Sequence, residues 1–109
     1  MDPHDTHRVF EALAHPVRLA IVQRLRRSPA SVAVLAEAFP VSRPAVSQHL
    51  KVLKDAGLVT GVADGAKRIY QIDPSGFAAL REWLDPYWDE ALAGFRAEVL
   101  RRKRKGHRT

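Results

Sequence analysis

The sequence predicts a mainly α fold with a small β-hairpin: five helices and two short strands in 109 residues. Three observations carry that prediction. Apolar residues recur at helical spacing from Val9 to Leu53; two runs rich in β-branched and aromatic residues then flank Asp64-Gly65; and the helical period returns from Phe77 to Val99. The length allows one domain, expected over residues 1–100, with a basic, disordered tail over 101–109.

The first helix is expected over about His7 to Ala14, capped by Asp5 or Thr6, with Val9, Phe10 and Leu13 as its apolar stripe. His15-Pro16 interrupts it, and Pro16 can open a second helix through about Arg27 whose core face is Leu19, Ile21, Val22 and Leu25. Ser28-Pro29 is a turn, and Ser31 is placed to cap a third helix. Pro40 closes that helix, because the residue before a proline is driven out of the α region.

Ser42 caps the fourth helix, Pro44 is tolerated in its first turn, and Gly57 can take the left-handed position beyond its end. At 100° per residue Val46, Leu50 and Leu53 share one face, with Ala45 and His49 at its edge. Arg43, Pro44, Ser47, Gln48, Lys51, Lys54 and Asp55 fall opposite. A helix, a tight turn and a helix with this outer face form a helix-turn-helix. Gln can read adenine in the major groove of double-stranded DNA, Arg guanine, Ser a base or a phosphate, and Lys a phosphate. An ordinary surface helix would also be polar outside, so periodicity alone leaves both readings open.

The charge distribution separates them. The net charge is +6, and residues 101–109 hold six of the 18 Lys and Arg without an acid, which leaves residues 1–100 neutral. Within that body residues 18–68 are net +6, residues 1–17 net −2 and residues 69–100 net −4. The cationic third contains the helix-turn-helix, as attraction to phosphate requires.

Beyond Gly57, Leu58–Val62 and Lys67–Ile72 read as a hairpin around an Asp-Gly turn, a wing with Lys67 and Arg68 just past its tip. Those two cations suit a phosphate or the minor groove, or are simply solvated. Asp73-Pro74 then caps and starts the last helix, which holds five of the eight aromatic side chains. Pro86 lies within it and predicts a kink or a restart capped by Asp85. Trp83, Tyr87, Trp88, Leu92 and Phe95 exceed what a small core can hide, so the surplus is expected to face a second copy of the chain. The closing Arg101–Lys105 run reads as a solvated tail, with a sequence-independent phosphate contact as the alternative.

Without cysteine there is no disulfide and no thiolate metal site, and no metal or other cofactor is expected. His4 and His7, three residues apart, are a weak candidate ligand pair; hydrogen-bonded structural roles suit His15 and His49 better. With neither a signal peptide nor an apolar stretch of about 18 residues, the expectation is a cytoplasmic protein that meets no membrane. An enzyme is disfavoured, since there is no glycine-rich phosphate loop and no nucleophile with a supporting cleft. A winged helix used only to dock proteins needs an apolar outer face on the fourth helix, which Arg43, Ser47, Gln48 and Lys51 do not provide.

Three stretches, Phe10-Glu11-Ala12-Leu13-Ala14-His15-Pro16-Val17-Arg18-Leu19-Ala20-Ile21-Val22, the segment from Val41 to Leu53, and Ala56-Gly57-Leu58-Val59, closely resemble the ArsR-type winged-helix repressors. The likeness covers about residues 7–95. It implies a homodimeric, sequence-specific repressor, and a two-fold protein that presents two equivalent helices to successive major grooves is expected to bind an inverted-repeat operator. Its DNA contacts are implied at Ser42, Arg43, Pro44, Ser47 and Gln48. The dimer interface is implied on the first and last helices, here Val9, Phe10, Leu13, Trp83, Tyr87, Trp88, Leu92 and Phe95. Many members sense metals through a Cys-x-Cys type motif in the third helix or Asp and His pairs in the last. Ser31–Ala36 lacks the first and no histidine occurs between His49 and His107, so the resemblance is to the branch that senses no metal. A ligand- or metal-responsive repressor with a non-standard site is the alternative.

Overall fold

The computed structural model describes residues 3–106, with side chains from Thr6 to Lys105. In chain order the elements are α1 (Pro3–Leu13), α2 (Pro16–Arg27), β1 (Ala30–Ser31), α3 (Val32–Ala38), α4 (Arg43–Asp55), β2 (Val59–Asp64), β3 (Lys67–Ile72) and α5 (Pro74–Gly106). α2, α3 and α4 bury Ile21, Leu25, Leu35, Val46, Leu50 and Leu53 in one core, with Val9 and Ala12 of α1 and Leu58 and Val59 at the start of the wing. Truncating one of these leucines to alanine costs about 2–5 kcal/mol, which makes the core the anchor of the helix-turn-helix.

Several expectations are corrected. α1 begins at Pro3 rather than His7, and Thr6 lies inside it, buried, instead of capping it. Asp5 falls where the chain is already helical, and its side chain lies outside the described residues. The sheet has three strands in the order β1-β3-β2, because Ala30 and Ser31 pair antiparallel with Tyr70 and Ile69. Two residues are too few to show an alternating pattern, so this strand leaves no signal in the sequence.

The hairpin turn is Gly65-Ala66, between paired Asp64 and Lys67, rather than a turn centred on Asp-Gly. Gly65 has φ +62° and Ala66 does not have positive φ, the arrangement of a type II′ turn with glycine first. On one face of the hairpin Val59, Gly61 and Ala63 stand opposite Ile72, Tyr70 and Arg68. A Cβ on Gly61 would lie 3.0 Å from both Arg68 Cδ and Tyr70 Cε1, so the bare glycine gives those two side chains room to cross the sheet.

α5 neither splits nor restarts at Pro86; it is one 33-residue helix. The lost hydrogen bond frees the carbonyl of Glu82, and every residue from Arg81 to Ala97 is exposed, so water can satisfy it. The basic run Arg101–Lys105 also continues this helix, so the expected boundary after residue 100 falls inside α5 and the run is helical where disorder was expected. Lys103, Arg104 and Lys105 occupy its last turn, where cations complement the helix dipole. Only the first turns of α5 touch the body. The radius of gyration is 19.6 Å, against roughly 13 Å for a compact chain of this length, and the longest extent is 70 Å.

Candidate nucleic-acid interface

The site grows from the two ends of α4. At its start Ser42 is extended, and its Oγ accepts from the Ala45 amide at 3.2 Å, as a serine cap does. Phe39, before Pro40, is likewise extended, which stops α3 and sets the turn between the helices. Ser31 caps α3 through the Val34 amide at 3.2 Å. At the far end Gly57 has φ +77°, its amide donates to Lys54 O at 2.9 Å, and the Leu58 amide donates to Leu53 O at 2.9 Å. This is a Schellman closure, with buried Leu58 and Leu53 as its apolar contact.

Between these ends Val46, Leu50 and Leu53 have no exposed surface, which fixes the rotation of α4 about its axis. Ser42, Arg43, Pro44, Ser47, Gln48 and Lys51 are consequently all exposed. His49 is half-buried at the edge of the apolar face, as its position in the sequence suggested.

The wing adds what α4 alone lacks. Arg43, Lys67 and Arg68 line one open groove of ≈ 440 Å³ together with Ser31, Val32, Ala33 and Ala66. Three cations and no carboxylate face it, so its potential is positive, and the N-terminus of α4 adds the positive end of a helix dipole. The fold therefore joins Arg43 to the consecutive pair Lys67 and Arg68, far from it in the sequence, while Ser47, Gln48 and Lys51 project from the adjoining helix face.

The residues expected on a dimer face divide differently. Trp83, Tyr87, Trp88, Leu92 and Phe95 are exposed, Phe95 at 68 %, Trp88 at 58 % and Tyr87 at 56 %. Phe10 of α1 joins them, meeting Trp83 edge to face with centroids 4.9 Å apart, and Trp83 stacks at a tilt on Tyr87 at 4.8 Å. Val9 does not belong to this surface: it is 1 % exposed and sits in the chain's own core. Leu13 is half-buried against that core. Helical spacing puts Val9 and Phe10 on neighbouring positions, and only packing against α4 and α5 decides which of them turns inward.

Three residues carry more than their sequence positions suggested. His15 caps α2 by accepting the Val17 amide at Nδ1, and its ring lies against that of His49. Arg18, which the sequence shows only as one of the nine Lys and Arg of residues 18–68, reaches both the end of α1 and His49. The word His15-Pro16-Val17-Arg18 at a helix junction is the signal that marks them. His7 lies 3.5 Å from the Glu11 carboxylate, whereas the side chain of His4 lies outside the described residues. Among the described residues no group of three or more His, Cys, Asp or Glu is placed to hold a metal ion.

Comparison with known proteins agrees with this geometry. Residues 13–62 match a helix-turn-helix domain family. The chain is 56 % identical over 88 residues to the HTH-type transcriptional regulator Rv2034 of Mycobacterium tuberculosis, covering 81 % of this chain and 82 % of that protein. It is 50 % identical over 64 residues to the HTH-type transcriptional repressor SmtB of M. tuberculosis, covering 59 % of this chain but only 47 % of that protein. Among solved structures, the ArsR family transcriptional regulator RHA00566 superposes with a TM-score of 0.74 at 32 % identity, covering 82 % of this chain and 92 % of that one. The homodimeric winged helix-turn-helix domain Mb0332 of Mycobacterium bovis gives 0.66 at 30 % identity, covering 82 % of each chain. The chain belongs to the ArsR family of winged helix-turn-helix proteins and is a DNA-binding transcriptional regulator.

Proposed function

We propose that this regulator is a homodimeric repressor that binds an imperfect inverted repeat with two copies of α4. The observation that carries the reading is the adjacency of an exposed hydrogen-bonding face, Ser47 and Gln48, to a groove lined by Arg43, Lys67 and Arg68. Gln48, with Ser42, Pro44 and Ser47 around it, meets base edges in the major groove. Lys51 and the three groove cations hold phosphates, which sets register without carrying sequence information. Arg43 is assigned to phosphate and not to a base edge because it lines the same groove as the wing cations Lys67 and Arg68.

The dimer uses the face formed by Phe10, Trp83, Tyr87, Trp88, Leu92 and Phe95. A two-fold axis through it presents two α4 helices to successive major grooves, with half-sites about one or two helical turns apart. The homodimeric state of Mb0332 and the repressor name of SmtB support this reading. The protein acts in the cytoplasm, carries out no catalysis and senses no metal through the two sites common in its relatives. No helix of the described chain is long and apolar enough to cross a membrane.

Footprinting of the purified protein on the DNA upstream of its own gene tests the whole reading. The expected result is a protected inverted repeat whose affinity is unchanged by zinc or arsenite. Protection without two-fold symmetry, or a tenfold loss of affinity with stoichiometric metal, refutes the corresponding part.

A further inference from the structure

The rings of His15 and His49 meet where α1, α2 and α4 join, with centroids 4.7 Å apart and planes inclined by 46°. Each turns its Nδ1 toward a donor. The Val17 amide donates to His15 Nδ1 at 3.2 Å, and Arg18 Nη1 lies 3.5 Å from His49 Nδ1. A backbone amide and a guanidinium can only donate, so both contacts need a lone pair on Nδ1 and therefore neutral rings with the proton on Nε2. Arg18 is fixed from its other side: Nε donates to Ala12 O at 2.7 Å and Nη2 to Glu11 O at 3.3 Å. These are carbonyls of the last turn of α1, where a cation also complements the helix dipole. Arg18 thus links the end of α1, on which the exposed Phe10 sits, to the middle of α4.

We propose, resting on the reading of α4 as the recognition helix, that His15, Arg18 and His49 are positioning residues that form an acid-released latch. The latch holds α4 in its DNA-reading orientation while the His49 imidazole is neutral and releases it as that ring protonates.

Protonation of His49 removes the acceptor at its Nδ1 and places imidazolium charge beside the Arg18 guanidinium, which cannot deprotonate. Burial, then the neighbouring His15 and Arg18 charges, hold the His49 imidazole below its ordinary value. The sign follows from linkage: the lowered folded-state value means the contact is complete above about pH 6.5 and is lost as pH falls through that lower value.

The surrounding charges leave this direction intact. From α1, Arg8 and Glu11 line with Arg18 and Asp55 of α4 a cleft of ≈ 430 Å³, two cations facing two carboxylates. Among the described residues no carboxylate lies within 4.0 Å of a ring nitrogen of His15 or His49. On α4 itself the positions three and four from His49 are Ala45, Val46, Val52 and Leu53, all uncharged, and the one charged residue of α3, Glu37, is exposed.

General electrostatics predicts the opposite trend, because acidification adds positive charge and tightens phosphate binding. The experiment measures affinity for a duplex selected from a random pool and for a random duplex of equal length, at about pH 7.5 and about pH 5.5. The wild-type ratio of the two affinities is expected to fall about threefold or more at the lower pH. His49→Asn offers an oxygen where Nδ1 stood and does not titrate, so its ratio stays near the wild-type value at both pH values. Arg18→Leu lowers the ratio at both. Thermal melts establish that each variant is folded under each condition, and histidine NMR without DNA is expected to show Nε2–H tautomers and His49 titrating below 6.5.

A ratio that is constant or rises on acidification overturns the latch. So does a His49→Asn ratio that falls in parallel with wild type. A wild-type protein with no preference for the selected duplex at the higher pH overturns the reading of α4 instead, which is a separate result.

Discussion

Gly76, in the first turn of α5, lies directly against the backbone of Gly57, which ends α4. Its amide donates to Gly57 O at 3.0 Å, and a Cβ at Gly76 would stand 2.7 Å from the Gly57 carbonyl carbon and collide with the oxygen itself. The Asp73 amide donates to Leu58 O at 2.9 Å, so two hydrogen bonds clamp the start of α5 onto the Schellman turn. The helix that carries the aromatic face is thereby joined rigidly to the end of α4. Gly76→Ala is expected to destabilise the fold by about 1–3 kcal/mol through overpacking against backbone, read as a lower urea midpoint. An unchanged midpoint means the two helices separate freely.

The aromatic face gives a prediction about assembly. Trp88→Ala removes an exposed side chain from a surface proposed to be buried between subunits, so its effect should fall on association and not on the fold. We expect the dimer Kd to rise at least about thirtyfold, roughly 2 kcal/mol, with the same far-UV circular dichroism. Light scattering across a dilution series measures it, and a wild-type protein that is monomeric at micromolar concentration removes the premise.

Base reading and phosphate binding separate in a salt series. Gln48→Ala should cost about 1–3 kcal/mol on a selected site and leave affinity for random DNA nearly unchanged. Arg43→Ala, Lys67→Ala and Arg68→Ala should each weaken both. In a dimer each removes two contacts, so the slope of log K against log salt should fall by up to about 1.8. A selective loss with Arg43→Ala would return that residue to the base edges, and a uniform loss with Gln48→Ala would end the assignment of α4 as reader.

Asp73 gives a prediction about acid stability. Its Oδ1 accepts the Ser75 amide at 3.0 Å and the Ser75 hydroxyl at 2.8 Å, and these bonds, the amide first, hold its carboxyl below the ordinary carboxylate value. The folded-state value is lowered, so the cap contributes fully above about pH 4 and is lost as pH falls through the folded value. Asp73→Ala should therefore lower stability at neutral pH by about 0.5–2 kcal/mol, with the gap to wild type closing in acid. Paired urea titrations at the two pH values check this.

Much of this protein was determined by local chemistry and was legible in order along the chain. Ser31 and Ser42 as caps, Pro40 as a stop, Gly57 as the left-handed closure and the stripe Val46, Leu50, Leu53 depend on residues within about four positions of one another. Backbone sterics and side-chain caps act over that range, so sequence alone suffices. The charged outer face of α4 followed from the same periodicity.

Tertiary structure decided whatever needed a distant partner. Val9 and Phe10 are adjacent in a helix, yet one is buried and the other exposed, because only packing against α4 and α5 distinguishes them. The strand Ala30–Ser31 exists because Ile69 and Tyr70 offer it an edge. Arg43 lines one groove with Lys67 and Arg68 across some 24 residues of chain, and Arg18 approaches His49 across 31, since the buried core fixes how α2, α4 and the wing are turned toward one another. Residue type and spacing specify what each element can bury or bond, but which groups finally face each other depends on the single arrangement in which all the apolar faces close at once.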